Sequence, residues 1–155
     1  MIRKLAHLCL VTDDLPRLTE FYSQKLGLPI KFTFQNPEGE VFGHYFDAGD
    51  SSFVEIFDRK LMHKQWMAKD NKPLLELADP QTARPRHFCF EVTALADLVK
   101  TLESRGVKCG PIRQGMDRSL QAWIADPDGN PIEFMEYTAE SQQIRRSTGT
   151  PPVVK

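Results

Sequence analysis

His7, Glu55, His87 and Glu133 are the residues of this 155-residue chain whose types and spacing point to chemistry. His7 and Glu55 lie 48 positions apart, and His87 and Glu133 lie 46 apart. Neutral imidazole and carboxylate together suit a divalent borderline metal such as Ni, Zn, Co, Mn or Fe. The separations are too long for a local metal-binding loop, so the fold must assemble such a site. Two His and two Glu balance a divalent charge, and six-fold coordination would leave two positions for water or for two adjacent substrate oxygens. A vicinal hydroxy-carbonyl chelated there has its neighbouring carbon acidified by enediolate stabilisation, a Lewis-acid effect of several kcal/mol. A carboxylate beside the metal then removes and returns the proton. We expect Glu133 to be the main base, and Glu55 to be a ligand and proton partner.

Glu133 stands in Leu120 to Tyr137, LQAWIADPDGNPIEFMEY, where two strand-like runs flank Asp126-Pro127-Asp128-Gly129-Asn130. Pro, Asp-Gly and Asn fix turn dihedrals, so the stretch reads as a hairpin. Alternation sends Glu133 the same way as Met135 and Tyr137, and Ile132, Phe134 and Glu136 the other way. If the first set faces inward, the buried carboxylate needs a partner or a metal.

The elements that position the four residues form a repeat. Lys4 to Val11 reads as a strand; Asp13 or Asp14 caps a helix over Leu15 to Leu26, with Gly27 closing it. Ile30 to Gln35, Val41 to Ala48 and Ser52 to Phe57 follow as a meander. Arg86 to Val92 (RHFCFEV) resembles Ala6 to Thr12 (AHLCLVT). A second helix carries Leu95, Leu98 and Leu102 and ends at Gly106, and strands follow at Ile112, Leu120 to Ala125 and Pro131 to Tyr137. Each half is therefore βαβββ, with a His in its first strand and a Glu in its last, and self-similarity of this kind survives an error in any one strand. The expected organisation is a first module over 1–58, a connecting segment over 59–84 with a helix around Leu61 to Met67, a second module over 85–138 and a tail over 139–155. In the tail, Ala139 to Arg146 reads as a short helix and Ser147 to Lys155 has little to bury.

Composition narrows the partners. With 20 Lys+Arg against 21 Asp+Glu and a net charge of −1, there is no basic block for nucleic acid or an anionic membrane. No stretch is long and apolar enough to span a bilayer. Cys9, Cys89 and Cys109 are odd in number and lack CxxC spacing, which fits a reducing compartment. The basic start runs into Asp13-Asp14 too soon for a signal peptide. The reading is a cytoplasmic protein that takes a small-molecule substrate.

The duplicated βαβββ order, the strand-borne His7, Glu55, His87 and Glu133 and the DPDGNPIEFMEY ending resemble the vicinal oxygen chelate superfamily over residues 4 to 137. That resemblance implies an α+β fold in which two βαβββ modules form a cup-shaped half-barrel sheet with the metal inside. Its members include glyoxalase I (lactoylglutathione lyase), methylmalonyl-CoA epimerase, fosfomycin-modifying enzymes, bleomycin-binding proteins and extradiol dioxygenases. The ligand order is most similar to glyoxalase I, which reads His or Gln, Glu, His, Glu along the chain. Extradiol dioxygenases use two His and one Glu, so Glu55 counts against them, and bleomycin-binding members generally lack the full set. The resemblance implies a metal-dependent lyase or isomerase acting on a small carbonyl compound or its thiol adduct. The alternatives are a ligand-sequestering resistance protein, or another enzyme of the superfamily. It also implies a homodimer, with the four ligands drawn either from one chain or from two.

Other residues have plainer readings. Cys9 and Cys89, two positions after each His, read as small buried hydrophobes. His44 is a secondary candidate for reaching substrate, and His63 reads as surface. Phe53, Phe57, Trp123 and Met135 read as pocket wall or core. Arg113 and Arg118 flank Gly115 in a loop that is either solvated or holds an anionic group.

Overall fold

The computed structural model describes residues 6–68, 71–79, 87–141 and 143–144. The fold is α+β, and the chain forms two compact units, Met1–Asp79 and Pro80–Lys155. The first contains β1 (His7–Thr12), α1 (Leu15–Glu20, continued by a π-helical stretch Phe21–Lys25), β2 (Ile30–Gln35), β3 (Val41–Asp47) and β4 (Phe53–Asp58). It also holds α2 (Arg59–Met62), continued by a π-helical stretch His63–Met67. The second contains β5 (Phe88–Glu91), α3 (Leu95–Ser104), β6 (Arg113–Gln114), β7 (Leu120–Ala125) and β8 (Pro131–Glu136).

Each unit has one open four-stranded sheet, ordered β1-β4-β3-β2 in the first and β5-β8-β7-β6 in the second. The first strand of each unit pairs in parallel with the last, and the other pairings are antiparallel. The glutamate-bearing strands β4 and β8 are therefore central and carry pairing on both sides.

Apolar patterning fixes which face each glutamate takes. In the first unit α1 packs on β3 and β4, with Leu18, Tyr22, Phe46, Val54 and Ile56 almost wholly buried. A one-residue slip of β4 would exchange Ile56 for Glu55 beneath α1. That slip forfeits about 1.5–3 kcal/mol for the lost isoleucine and strands a carboxylate in the core. In the second unit α3 packs on β7 and β8 over Leu95, Leu102, Ala122, Ile124, Ile132 and Phe134, all buried. Ile132 and Phe134, not Glu133 and Met135, thus face the helix.

Caps locate the helices. The Asp14 carboxylate accepts from the Arg17 amide at 3.1 Å. The start of α3 is held from a distance, since the Glu136 carboxylate accepts from the amides of Ala94 and Leu95 at 3.1 and 2.9 Å. In the connecting segment the Asp58 carboxylate accepts from the amides of Lys60 and Leu61. Arg59 donates to both Asp13 carboxylate oxygens and to the Leu75 carbonyl, and His63 bonds the Lys72 carbonyl at 2.8 Å. The helix expected around Leu61 to Met67 thus belongs to a segment anchored on the first unit.

Two expectations differ from the structure. Residues 139–140 and 143–144 form turns rather than a helix, because the Ser141 hydroxyl is spent on other bonds: it accepts from the Thr138 amide and from the Ser119 hydroxyl. The strand at Ile112 is only the two residues of β6. Lys4, Leu5, Arg86 and Ser147 to Lys155 lie outside the described residues.

Gly43 of β3 pairs with Phe57, and a methyl group at Gly43 would overlap the Phe57 ring and lie 3.0 Å from the Ile56 carbonyl oxygen. Phe57 is itself packed against Phe42, Phe34 and Trp66. Gly43→Ala is therefore expected to destabilise the first unit by about 1–3 kcal/mol, seen as a lower urea midpoint with an unchanged slope.

Candidate metal centre

The four residues meet in two equivalent pairs. In the first unit the His7 Nε2 lies 3.8 Å from a Glu55 carboxylate oxygen. In the second the His87 Nε2 lies 3.2 Å from one of Glu133. The register explains the equivalence. Cys9 of β1 is the partner of Glu55 on β4, Cys89 of β5 is the partner of Glu133 on β8, and each His lies two residues before its Cys. Parallel pairing and two-residue alternation put His, Cys and Glu on one face, away from the helix. His87 precedes β5 by one residue, whereas His7 opens β1.

Burial separates the carboxylates from the imidazoles. Glu133 is 5% exposed and the Glu55 side chain 15% exposed, while His7 and His87 are more open. Each carboxylate is sheltered, with a more exposed imidazole nitrogen beside it. Two donors at about 2.1 Å from one ion, some 90–110° apart, are separated by roughly 3.0–3.4 Å. The second pair falls inside that range and the first lies beyond it, so the donor chemistry fits a cation in both units and the spacing fits one in the second. Among the described residues, no group of three or more His, Cys, Asp or Glu side chains is placed to hold a metal ion.

Cys9 and Cys89 are exposed rather than buried. Partial shelter on the sheet and then the negative charge of Glu55 push the Cys9 thiol up to about 12. Cys89 is raised to about 12 by the same shelter and then by Glu133. Both remain thiols at neutral pH, which removes them as nucleophiles.

An aromatic ring stands across from each glutamate. Tyr45 pairs with Glu55 and Trp123 with Glu133. Tyr45 packs edge-on against His7 at 5.7 Å between ring centroids, and Trp123 against His87 at 4.7 Å. The Tyr45 hydroxyl also lies 2.9 Å from the His7 Nδ1. His44, singled out from the sequence, is on the opposite face: it pairs with Ile56, packs on Phe46 and bonds Thr33. Burial lowers its pKa. Tyr45 was missed, although the turn around Gly49 contains the signal, because strand positions equidistant from a hairpin turn face one another.

The rest of each face differs in character. In the first unit Phe32 stacks on Tyr45 at 4.6 Å, and Phe34, Phe53, Phe57 and Trp66 continue a sheet of rings. Phe32 and Trp66 are each 46% exposed. In the second unit Gln121 pairs with Met135 and with Arg113, and Glu91 pairs with Met135, giving a polar row beyond Trp123 and Glu133. The Gln143 amide bonds Asp117 and reaches the Met135 sulfur at 3.7 Å. Phe53, Phe57, Trp123 and Met135 thus share the faces of the His–Glu pairs, and Arg113 lies on the same side as Gln121.

Comparison with known proteins agrees with this architecture. Residues 4–134 match the family model described as the Glyoxalase/Bleomycin resistance protein/Dioxygenase superfamily. The uncharacterized protein YraH of Bacillus subtilis is 30% identical over 140 residues, covering 84% of this chain and 96% of that protein. Glyoxalase I of Saccharomyces cerevisiae is 24% identical over 157 residues, covering 93% of this chain and 48% of the yeast protein. Among solved structures, lactoylglutathione lyase from Agrobacterium tumefaciens aligns with a TM-score of 0.63 at 20% identity, over 86% of this chain and 92% of that one. That likeness is one of fold.

Proposed function

The chain belongs to the glyoxalase/bleomycin resistance protein/dioxygenase superfamily, and from that premise we propose that it is a metal-dependent lyase or isomerase of the glyoxalase I type. The proposed substrate is a small carbonyl compound or its thiol adduct. The observation that carries this reading is the repeated pair: His7 with Glu55 at 3.8 Å and His87 with Glu133 at 3.2 Å, in the same register on matching strands. His7 with Glu55, and His87 with Glu133, would be the residues that hold a divalent cation of the Ni, Zn, Co, Mn or Fe group, the ligands drawn from one chain or from two. The cation supplies Lewis-acid stabilisation of the charge that develops on the substrate oxygens.

The residues of the chain do the remaining work. Glu133 accepts the substrate C–H proton and returns it to the adjacent carbon. Its place on the central strand β8 limits its freedom, and its low exposure keeps competing water from the carboxylate. Glu55, on the equivalent strand, is the second carboxylate available to hold a proton. Trp123 and Tyr45 wall the two histidines and restrict their rotation. We also propose a homodimer, which sedimentation at micromolar concentration would report as a doubled mass.

The test is to supply the protein with Ni or Zn, offer methylglyoxal with several thiols, and follow exchange of the substrate C–H proton in deuterated water. Exchange or isomerisation of at least one adduct is the expected result. Metal-loaded protein that is inert toward every adduct sends the search to epimerase, fosfomycin-type or dioxygenase substrates.

A second reading, sequestration of a ligand without turnover, is favoured by the ring-lined face of the first unit, where Phe32 and Trp66 present large exposed aromatic surfaces. Stacking of a planar ligand there needs no metal. Tight binding that survives chelation, with no product formed, would select it.

A further inference from the structure

We propose that Tyr45 is a positioning residue that holds His7 in the tautomer protonated on Nδ1 and so presents a bare Nε2 lone pair toward Glu55. The inference rests on the metal-site reading above and deepens it. A histidine that ligates through Nε2 must carry its proton on Nδ1, and such a proton is usually donated to a carboxylate, a backbone carbonyl or water, which fixes the ring. Here the atom 2.9 Å from Nδ1 is the Tyr45 phenolic oxygen, which accepts as well as donates.

The reverse arrangement, with the phenol donating to Nδ1, would put the proton on Nε2, facing Glu55 at 3.8 Å. A proton there would occupy the lone pair that a cation needs and would have to be displaced on ligation. With the proton on Nδ1, the Tyr45 bond is made and the Nε2 lone pair is left for a cation, which would also neutralise the Glu55 carboxylate beside it. The ring is also clamped mechanically, because Tyr45 packs edge-on against His7 while its own ring is stacked on Phe32 and packed against Phe53.

The second repeat shows what the hydroxyl adds. Trp123 takes the register position of Tyr45 and packs on His87 in the same way. An indole N–H only donates, so it cannot accept a proton from Nδ1. The two histidines are thus held by different means, His7 by packing and a hydrogen bond together. Tyr45→Phe removes the hydrogen bond and keeps the ring, whereas Tyr45→Trp copies the other repeat.

The experiment reads the tautomer and the metal separately. In the metal-free protein at about pH 8.5, above the usual imidazole range, long-range proton–nitrogen correlations of His7 should show the Nδ1–H form. Both variants should move it toward the Nε2–H form that prevails in water. Titration with Ni or Zn should show affinity weakened by roughly tenfold to a hundredfold, with a thermal midpoint close to wild type for Tyr45→Phe. A wild-type His7 in the Nε2–H form overturns the proposal. So does a Tyr45→Phe protein whose tautomer and metal affinity are both unchanged. If wild type binds neither metal, the metal-site reading fails, and the tautomer measurement still decides whether Tyr45 sets the protonation of His7.

Discussion

Glu133→Gln should retain part of the metal affinity while lowering turnover by about a hundredfold or more. The amide keeps the shape and one oxygen donor but has no basicity. Glu133 is almost completely buried on β8, beside His87 at 3.2 Å, so no solvent-borne carboxylate takes its place. The measurement is single-turnover proton exchange in deuterated water, with the metal content of the same sample determined in parallel. Loss of exchange with metal retained assigns the proton transfer to Glu133. Full exchange in the variant would move the base to Glu55, on which the same substitution should then be lethal to turnover. Loss of both metal and exchange would make Glu133 a ligand whose charge the cation requires.

Why Glu133 was legible in the sequence, and Tyr45 was not, has a physical answer. A carboxylate within IEFMEY costs too much to bury without a reason, so its presence alone marked a candidate. The matching Glu55 and the two His completed the candidate set, because a duplicated chain repeats its exceptions as well as its core. The hairpin was equally readable: the Asp126 carboxylate accepts from the amides of Asp128 and Asn130 and from the Asn130 side chain, as DPDGN suggests. Faces were harder. β8 is central, covered by α3 on one side and carrying Glu133 at 5% exposure on the other, so hydrophobic alternation does not say which side is core. β3 has the same ambiguity, with Phe42, Gly43 and Phe46 all buried. The sequence therefore drew attention to His44 by residue type, while pairing with β4 gives the site face to Tyr45. The remote cap from Glu136 to α3 was invisible for a related reason: 41 residues separate Glu136 from Leu95, and only the fold brings them together.

Stripping the cation by chelation is expected to abolish turnover and leave the fold in place, with activity returning on addition of Ni or Zn. The expectation follows from where stability resides. Leu18, Tyr22, Phe46 and Ile56 in one unit, and Leu95, Leu102 and Ile132 in the other, are almost wholly buried on the helix-facing sides of the sheets. The His–Glu pairs lie on the opposite sides and add no apolar burial. A structural zinc site behaves otherwise, since its metal-binding energy is folding energy and chelation unfolds it. Here metal should stabilise only by linkage, roughly 2.7 kcal/mol at a free concentration a hundred times Kd. Far-UV circular dichroism before and after chelation, with turnover measured on both samples, separates the cases. His7→Ala and His87→Ala should each mimic chelation by weakening metal binding while preserving the spectrum. A chelated protein that turns over at the original rate would sink the metal-dependent mechanism. One that loses its spectrum would make the four residues a structural clasp, with the chemistry to be sought elsewhere on the two sheets.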